Sequence, residues 1–583
     1  MFFHKKTSHS LILCTAFSLQ IPLAVVYCFY NLPYHSSFEV FSDAAIAALI
    51  LFLLLFNRCR KPSAWMPALT IMVFFIVATI HSVYFFSTDY LLGSLVPVLL
   101  IAFGWRYAAD CRKMIPLFLS IYWGLNLILS LRKLWSGDIQ HGITGNWNWS
   151  AILVLVSGAA FLHIIYEFCG KHYAGKLLMI TVGILSAWQL TLYPSRGAIL
   201  AVAAATLFFL LIYLYRLNNR IALGSAIVLL LAFLGIIRFY DLTAHDARTY
   251  LFPAAIKIMG SQPWFGVAPW RYEDFAFLNC ASGYFLERFV AERSPHPHNQ
   301  FLFIAASYGI PALAAWLYLI FRPIPAAMKK LFTAQSSFLF FIFLVLLFGG
   351  MVDVTLDTWP CKYFFPIIVG IYWHDFAPLE SWQAHRGTVK FCQSLGIMFL
   401  MTSLYFATLS TLSSWHYREG CKSADSGNSP EALRQFGTSA KILPTPFALY
   451  RAGMIALYDA KQPEAALSWF SQIPKLTGMQ NFLNYNNNMA RIYCLKNEPE
   501  KALPYFKKEA ELYPYGILNW YFYAQTLEYL GRHKEAAAAR KSFETAMKAK
   551  KMLPKYLPLI MKNQLYDLKP HLFHEQRNQQ EGQ

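Results

Sequence analysis

SPHPHNQFLFIAASYGIPALAAWLYLIF, residues 294–321, leads from a polar, proline-rich segment straight into a long apolar run. The hydrocarbon core of a bilayer is about 30 Å thick and is crossed by about 20 apolar residues in a helix. Residues 299–321 reach that length. The stretch therefore predicts a membrane helix that begins next to two histidines, His296 and His298.

The composition of the whole chain indicates a protein that crosses a membrane many times. Of its 583 residues, 57% are hydrophobic and 14% are charged, and its mean hydropathy is +0.38. These values lie far from those of soluble domains. Twelve or thirteen apolar runs have about the length of a span, the runs at 90–105 and 362–377 being the shortest. Their approximate positions are 10–30, 38–56, 65–87, 90–105, 114–131, 149–166, 176–193, 197–215, 221–240, 299–321, 335–356, 362–377 and 391–415.

The distribution of positive charge predicts the orientation of these helices. A net charge of +19 does not indicate a nucleic-acid-binding protein here, because Lys and Arg form short clusters between apolar runs. Alternate short loops hold 17 and 4 of these residues. Since cytoplasmic loops are enriched in Lys and Arg, this split predicts a cytoplasmic N-terminus. The loop 241–298 and everything after about residue 416 are then predicted on the outer side, which is the periplasm of a cell with two membranes.

The first run raises the question of a signal peptide. Lys5 and Lys6 precede it, but no small-residue cleavage site follows and further spans come next. It is interpreted as a retained first helix.

A tight turn on the predicted outer side carries Arg196. The turn, Tyr193-Pro194-Ser195-Arg196-Gly197, joins two apolar runs and is too short to hold a domain. Arg196 is either an anchor whose charged head reaches the membrane surface or a functional residue. Ser195 either caps the turn or contacts phosphate.

The long loop 241–298 carries a second arginine at the start of an amphipathic stretch. Arg248 opens this stretch, and its guanidinium group offers paired donors that suit a diphosphate. A loop of this length is unusual in a compact domain unless it is functional. Arg288 and Arg293 alternate with glutamates, so they form either a self-paired surface or part of a substrate site.

The histidines have more than one interpretation. His298 is either a functional residue or a neighbour of Asn299, a good N-cap for the following helix. His296 and His298 could ligate Zn²⁺, but a catalytic zinc needs a third protein ligand and the outer loops offer no clear candidate. None of the ten cysteines lies in a CxxC motif. We therefore predict no metal and no cofactor. Asp353 is either a second polar site residue or, with Asp357, the point where its helix leaves the bilayer.

Three segments together resemble the O-antigen ligase and polymerase superfamily. RTYLFPAAIKIMGSQPWFGVAPW (248–270) resembles its Arg–helix–Pro–x–x–Gly–Val–Gly segment, and HPHNQFLFIAASYGIPALAAWL (296–317) resembles its His-Asn segment. Tyr193 to Leu200 resembles its Ser-Arg-Gly turn. The three occur in the family's order, and the resemblance as a whole covers roughly residues 10–390. The chain departs from the pattern where the family favours glycine, at Ala268, Pro269 and Pro311.

The resemblance implies a metal-independent membrane glycosyltransferase of the GT-C class, related to protein O-oligosaccharyltransferases. Such an enzyme takes a glycan from a polyprenyl (undecaprenyl) diphosphate carrier. It transfers the glycan to a hydroxyl of a lipid A core, of a growing glycan or of protein Ser/Thr, at the periplasmic face of the bacterial inner membrane. By position, His298 would be the catalytic histidine and Arg196 and Arg248 would bind the diphosphate. Asn299 would orient the imidazole or a sugar hydroxyl.

The chemistry agrees with these residue types. A histidine that titrates near neutrality can remove the proton of an attacking hydroxyl. Fixed guanidinium groups can stabilise the negative charge that develops on a departing diphosphate.

The C-terminal part contains an internal period. The spacings between Ala432, Ala466, Ala502 and Ala536 are 34, 36 and 34 residues, and a phenylalanine follows each of the first three by four. This spacing is typical of tetratricopeptide repeats, which stack into a surface that binds peptide or protein segments. The repeats are either a recruiter of an exported protein or glycolipid acceptor, or a passive scaffold.

The predicted fold is all-α, a polytopic membrane helical bundle followed by a helical solenoid. The predicted domains are the membrane glycosyltransferase domain (1–416), a linker (417–427), the repeat domain (428–548) and a basic, Gln-rich tail (549–583).

Two alternatives remain at this stage. If the chain were a flippase for lipid-linked glycans, its sequence should contain two related halves and charged residues near the bilayer midplane. The sequence displays neither feature. A non-enzymatic membrane anchor for the repeat domain would need only one span.

Overall fold

The structure is a computed structural model, and it describes the chain in several separate parts. The predicted spans at 10–30, 38–56 and 65–87 lie outside these parts, as do most of the spans at 221–240 and 391–415. The described residues are 60–62, 88–136, 146–217, 224, 247–280, 294–329, 334–358, 360–377, 379–381, 394, 401, 405, 408–409, 412–477 and 484–549.

The chain divides into two units, each with its own core. The first comprises residues 1–270 and 296–407, and the second comprises residues 271–295 and 408–583. The helices of the first unit are α1 (Thr88–Arg106), α2 (Ala108–Ser136), α3 (Trp147–Cys169), α4 (Tyr173–Leu192), α5 (Arg196–Leu217), α6 (Arg248–Ser261), α8 (Gln300–Tyr308), α9 (Ile310–Phe321), α10 (Ile324–Lys329), α11 (Ala334–Val352) and α12 (Cys361–Phe376). The described strands are β1 (Arg60–Pro62) and β2 (Leu379–Ser381), which pair antiparallel.

Several helices of the first unit can cross a membrane. Four are long and apolar enough, namely Ala108–Arg132, Trp147–Cys169, Tyr173–Leu192 and Ile310–Lys329, and three shorter apolar helices accompany them among the described residues. The prediction of an all-α membrane bundle is confirmed, with the three-residue strand pair as a minor addition.

Helices α1 and α12 approach each other very closely in the apolar core. A Cβ atom at Gly104 would overlap the backbone of Ile367, and one at Gly370 would overlap the backbone of Ile101 and Trp105. Small residues at such crossings let two backbones come close, which is how membrane helices gain packing energy. Around this crossing lie fully buried aromatic side chains such as Trp373 and Phe103.

The apolar run predicted as one span at 299–321 is two helices, α8 and α9. Gly309 separates them with a φ of +91°, because the loop around Trp264 and Gly266 packs against the end of α8. The amide of Val267 donates to the carbonyl of Ala306 at 2.9 Å. Loop and helix therefore share backbone hydrogen bonds, and α8 ends where they form.

Two of the three departures from the family pattern, Ala268 and Pro311, lie in this loop and at the start of the helix after Gly309. Ala268 has a φ of +69° and is buried, in the backbone region that glycine adopts at lowest cost. Pro311 lies at the start of α9, where a missing N–H has no helical partner to lose. Both substitutions are compatible with the observed backbone.

The second unit is a chain of helices that pack on their neighbours in sequence. The core of each pair contains the residues of the internal period. Ala432, Ala466 and Ala502 are fully buried, and so are Phe436, Phe470 and Phe506. Its helices are α7 (Tyr272–Asn279), α13 (Ser429–Ile442), α14 (Pro446–Met454), α15 (Pro463–Phe470), α16 (Ile473–Thr477), α17 (Tyr485–Leu495), α18 (Pro499–Leu512), α19 (Ile517–Tyr529) and α20 (His533–Ala549).

Two segments join this unit from outside the predicted repeat domain. Residues 412–425 are helical and include most of the predicted linker. They pack on α13, with the rings of Tyr417 and Phe436 5.4 Å apart. Helix α7 comes from the long loop 241–298, and its Phe277 ring lies 6.0 Å from the ring of Tyr513.

Replacing Gly266 by alanine is expected to lower the free energy of unfolding by at least about 1 kcal/mol. Gly266 has a φ of +64°, and a Cβ there would overlap the backbone of Ala306 and Ser307. The shift in the thermal midpoint of the detergent-solubilised chain measures the loss.

Gly183→Ala is the matched control, because a Cβ at Gly183 within α4 meets no atom within 4 Å. Its midpoint is expected to stay or to rise, since alanine favours helix more than glycine does. Equal midpoints for the two variants would contradict a tight loop–helix junction.

Candidate active site

The three motif segments of the first unit meet at the C-terminal end of α11. Arg248 contacts Val352, the last residue of that helix, and His298 contacts Asp353, the next residue. A Cβ atom at Gly197, in the Ser-Arg-Gly turn, would lie 3.3 Å from a methyl group of Val352. Residues far apart in sequence thus surround one helix end.

His298 and Asp353 form a histidine–carboxylate pair. Nδ1 of His298 lies 3.2 Å from Oδ1 of Asp353, and the two side chains are 30% and 3% exposed. The carboxylate also accepts a hydrogen bond from the backbone amide of Val354 at 2.8 Å and one from the side-chain amide of Asn148 at 3.3 Å. The aspartate is therefore held from several sides and presents one oxygen to the imidazole.

The environment keeps the Asp353 carboxyl ionised. Burial raises its pKa, but the hydrogen bond with His298, the nearby histidine charges and the Val354 amide outweigh burial and lower the pKa to about 2. An ionised carboxylate can only accept hydrogen bonds, so Nδ1 of His298 carries the hydrogen between them. In the neutral imidazole the lone pair then lies on Nε2, which can accept a proton.

The backbone around His298 is constrained by the start of α8. His298 has a φ of +54°, which is uncommon for a residue other than glycine. Asn299 is the N-cap of α8, because its Oδ1 accepts a hydrogen bond from the backbone amide of Leu302 at 2.9 Å. It also donates to the carbonyl of Met351 at 2.7 Å. The capping interpretation of Asn299 is thus observed, and its second bond ties α8 to α11.

Arg248 is fixed by a carbonyl group at the end of α11. Its Nε and Nη2 atoms donate to the carbonyl of Val352 at 3.1 and 2.8 Å. The last carbonyls of a helix have no partner within the helix, so this pair of bonds satisfies one of them. The Arg248 side chain is half-buried, and the residue that it binds, Val352, directly precedes Asp353.

Arg196 is the first residue of α5 and is exposed. Ser195 before it accepts the amide of Ala198 at 3.0 Å, which is the capping role. Helix N-termini favour anions, and an exposed arginine at the same end adds a full positive charge.

His296 lies beside His298, and their rings meet edge to face with centroids 4.6 Å apart. The ring of Trp149 lies 6.3 Å from His296. Asn148 and Trp149 lie in the first turn of α3, and the sequence signal for them is the Asn-Trp-Asn-Trp run at 146–149 before an apolar stretch.

The remaining predicted residues have different outcomes. Asp353 joins the site, whereas Asp357 is exposed and accepts the side-chain amide of Gln300 at 2.6 Å. Arg288 and Arg293 lie outside the described residues.

Three residues of the site are able to hold a metal ion. One ligand atom each of His296, His298 and Asp353 lie within 4.8 Å of one another. The outer loops of the sequence offered no third ligand; the candidate in the structure is Asp353, at a helix end 55 residues after His298 in sequence.

Comparison with known families addresses the same part of the chain. Residues 181–317 match the family described as O-antigen ligase. The chain carries an O-antigen ligase domain. The matched range contains Arg196, Arg248 and His298, and Asp353 lies beyond it. No curated protein matches the chain significantly.

An O-antigen ligase domain supports a role of the glycosyltransferase or ligase type in polysaccharide assembly, with lipid-linked glycan and lipid substrates. The membrane-capable helices agree with a multi-pass membrane protein. The repeat type of the second unit stays a prediction.

Replacing Arg248 by lysine is expected to destabilise the O-antigen ligase domain by about 1–3 kcal/mol. An ammonium group is a point donor and cannot reproduce the paired bonds of Nε and Nη2 to Val352. The midpoint of thermal unfolding in detergent measures the effect. Arg132→Lys, at an exposed position of α2, is the control and should leave the midpoint unchanged. If Arg248→Lys leaves it unchanged as well, the carbonyl contact contributes little.

Proposed function

We propose that the O-antigen ligase domain transfers a glycan from a polyprenyl diphosphate carrier to an acceptor hydroxyl. The observation that carries this proposal is the His298–Asp353 pair next to a fixed guanidinium group at the end of α11. A proton acceptor and a diphosphate-binding group are the two functions that this reaction needs, and both belong to described side chains.

The reaction begins with the acceptor hydroxyl. Nε2 of His298 takes its proton while the hydroxyl oxygen forms a bond to the anomeric carbon. The bond between that carbon and the diphosphate oxygen breaks, and the electron pair leaves with the diphosphate. The imidazolium that forms is stabilised by the ionised carboxylate of Asp353.

Two arginines bind the diphosphate leaving group in this proposal. Arg248, held rigidly by Val352, and Arg196, at the N-terminus of α5, would bind the diphosphate oxygens. Fixed cations stabilise developing negative charge without reorganising during the reaction. In this scheme the chain's own residues supply the charge stabilisation, and no step requires a metal.

The proposed location is the periplasmic face of the bacterial inner membrane. The Lys and Arg split of 17 against 4 between alternate loops supports a cytoplasmic N-terminus. It also supports an extracytoplasmic position for the loop that ends at His298 and for the C-terminal unit.

The second unit is proposed to recruit the acceptor through tetratricopeptide-like repeats. Burial of the periodic alanines and phenylalanines supports a repeated helix pair. Between α18, α19 and α20 lies a cavity of about 510 Å³ whose lining includes Trp520, Tyr523, Lys507 and Arg532. Aromatic faces with charged groups at their edge suit a sugar or a peptide segment, so the acceptor is an exported protein, a glycan or a lipid A core.

Replacing His298 by alanine is expected to lower the rate of glycan transfer by about 10²–10⁴-fold, because the proton acceptor is lost. The measurement reconstitutes the purified chain with polyprenyl-diphosphate-linked glycan and acceptor, and follows the glycosylated product. Arg196→Ala and Arg248→Ala should weaken donor binding and also slow transfer. His172→Ala, at an exposed histidine before α4, is the control.

Asp353→Asn and Asp357→Asn form a matched pair for the same assay. Asparagine has nearly the same shape but cannot stabilise an imidazolium, so Asp353→Asn should slow transfer while the exposed Asp357→Asn should not. Transfer by folded His298→Ala as fast as by the native chain would refute the proposal. Translocation of the carrier lipid without transfer would instead indicate a flippase.

Replacing Lys507 by glutamate is expected to raise the KM for the acceptor severalfold and to leave kcat nearly unchanged. The substitution places a third carboxylate beside Glu511 and Glu535 in the cavity lining, which changes its charge without altering the core. Lys541→Glu, at an exposed position of α20 outside that lining, is the control. Equal KM values for both variants and the native chain would argue against recruitment by this cavity.

A further inference from the structure

We infer that His296, His298 and Asp353 form a binding site for a zinc-like divalent cation, and that the cation inhibits glycan transfer when bound. The inhibition rests on the proposed function, whereas the binding does not. The site would be a means of switching the enzyme off, separate from the reaction itself.

The ligand set is that of a three-ligand zinc site. Two imidazoles and one carboxylate bind Zn²⁺ at about 2.0–2.2 Å, leaving a fourth position for water. In tetrahedral geometry these distances put ligand atoms about 3.3 Å from one another. His298 and Asp353 already have that separation, at 3.2 Å. All three ligand atoms lie within 4.8 Å of one another, so closing the site around a cation requires them to approach by at most about 1.5 Å.

The surroundings hold the ligands in place. The Val354 amide and the Asn148 side chain orient the carboxylate, which is the kind of outer hydrogen bonding that supports metal ligands. Pro295 and Pro297 flank the histidines in sequence and restrict the backbone. Partial exposure of His298 leaves a path for the cation.

The donor atoms also determine which cation binds. Imidazole nitrogens suit Zn²⁺, Co²⁺ and Cu²⁺, while Mg²⁺ and Ca²⁺ favour sites made of oxygen ligands. The site therefore selects transition-metal cations.

Metal binding removes the base through the tautomer of His298. In the metal-free site the Nδ1 hydrogen lies between His298 and Asp353, and the lone pair is on Nε2. A cation between these two side chains takes the Nδ1 lone pair, and the ring hydrogen moves to Nε2 with no net change in protons. Nε2 then donates and cannot accept the acceptor's proton, so catalysis and metal binding exclude each other.

The experiment measures Co²⁺ binding to the full chain in detergent by the visible absorbance of tetrahedral Co²⁺, with Zn²⁺ as competitor. One cation per chain is expected for the native protein. His296→Ala, His296→Gln and Asp353→Asn should each weaken binding at least about tenfold, and the controls His172→Ala and Asp357→Asn should not. Absence of binding, or binding that these ligand substitutions leave unchanged, would overturn the site.

The second arm follows transfer by the native chain freed of metal with a chelator. Added Zn²⁺ is expected to inhibit over the range in which it displaces Co²⁺, and chelator should restore the rate. Full activity with Zn²⁺ bound would overturn the inhibitory role. If Co²⁺ fails to bind but His298→Ala abolishes transfer, the inference fails and the proposed function stands. If Co²⁺ binds through these residues but His298→Ala transfers normally, the proposed function fails.

Discussion

The end of one apolar helix, α11, holds the candidate site together. Its last turn accepts a hydrogen bond from Asn299 at Met351 and a pair from Arg248 at Val352, and the carboxylate of Asp353 follows directly. Helix ends leave carbonyls without partners inside the helix. Here those groups are satisfied by side chains from the segments that carry the O-antigen ligase motifs, so capping the helix and assembling the site are the same set of contacts.

A buried carboxylate is costly unless its charge is compensated. Asp353 has an amide of its own turn, an asparagine from α3 and the imidazole of His298 as partners. The residues around Asp353 must therefore supply hydrogen-bond donors, because the loss of one donor leaves the buried carboxylate charge uncompensated. The same restriction gives His298 a fixed orientation despite its unusual backbone angle.

Much of the first unit was predictable from local patterns, and the missing parts depended on contacts between distant segments. Apolar runs indicated the helices, and the positions of Arg196, Arg248 and His298 followed from their motifs. The break at Gly309 could not be predicted from the run itself, because it depends on a loop more than 40 residues earlier. Asn148 and Asp353 are 205 residues apart, and no pattern in one chain reveals such a pairing. From sequence, Asp353 is marked only by its position near the end of a span.

Helix α7 belongs to the second unit although it precedes the return of the chain to the first. The chain leaves the first unit after Trp270 and returns at His296, and in between Phe277 of α7 packs on Tyr513 of the second unit. The second unit is therefore built from two separate stretches of chain, and the C-terminal part alone does not make it. A related chain without residues 408–583 would also need a different sequence in α7, since Phe277 would lose the ring of Tyr513 that it packs on.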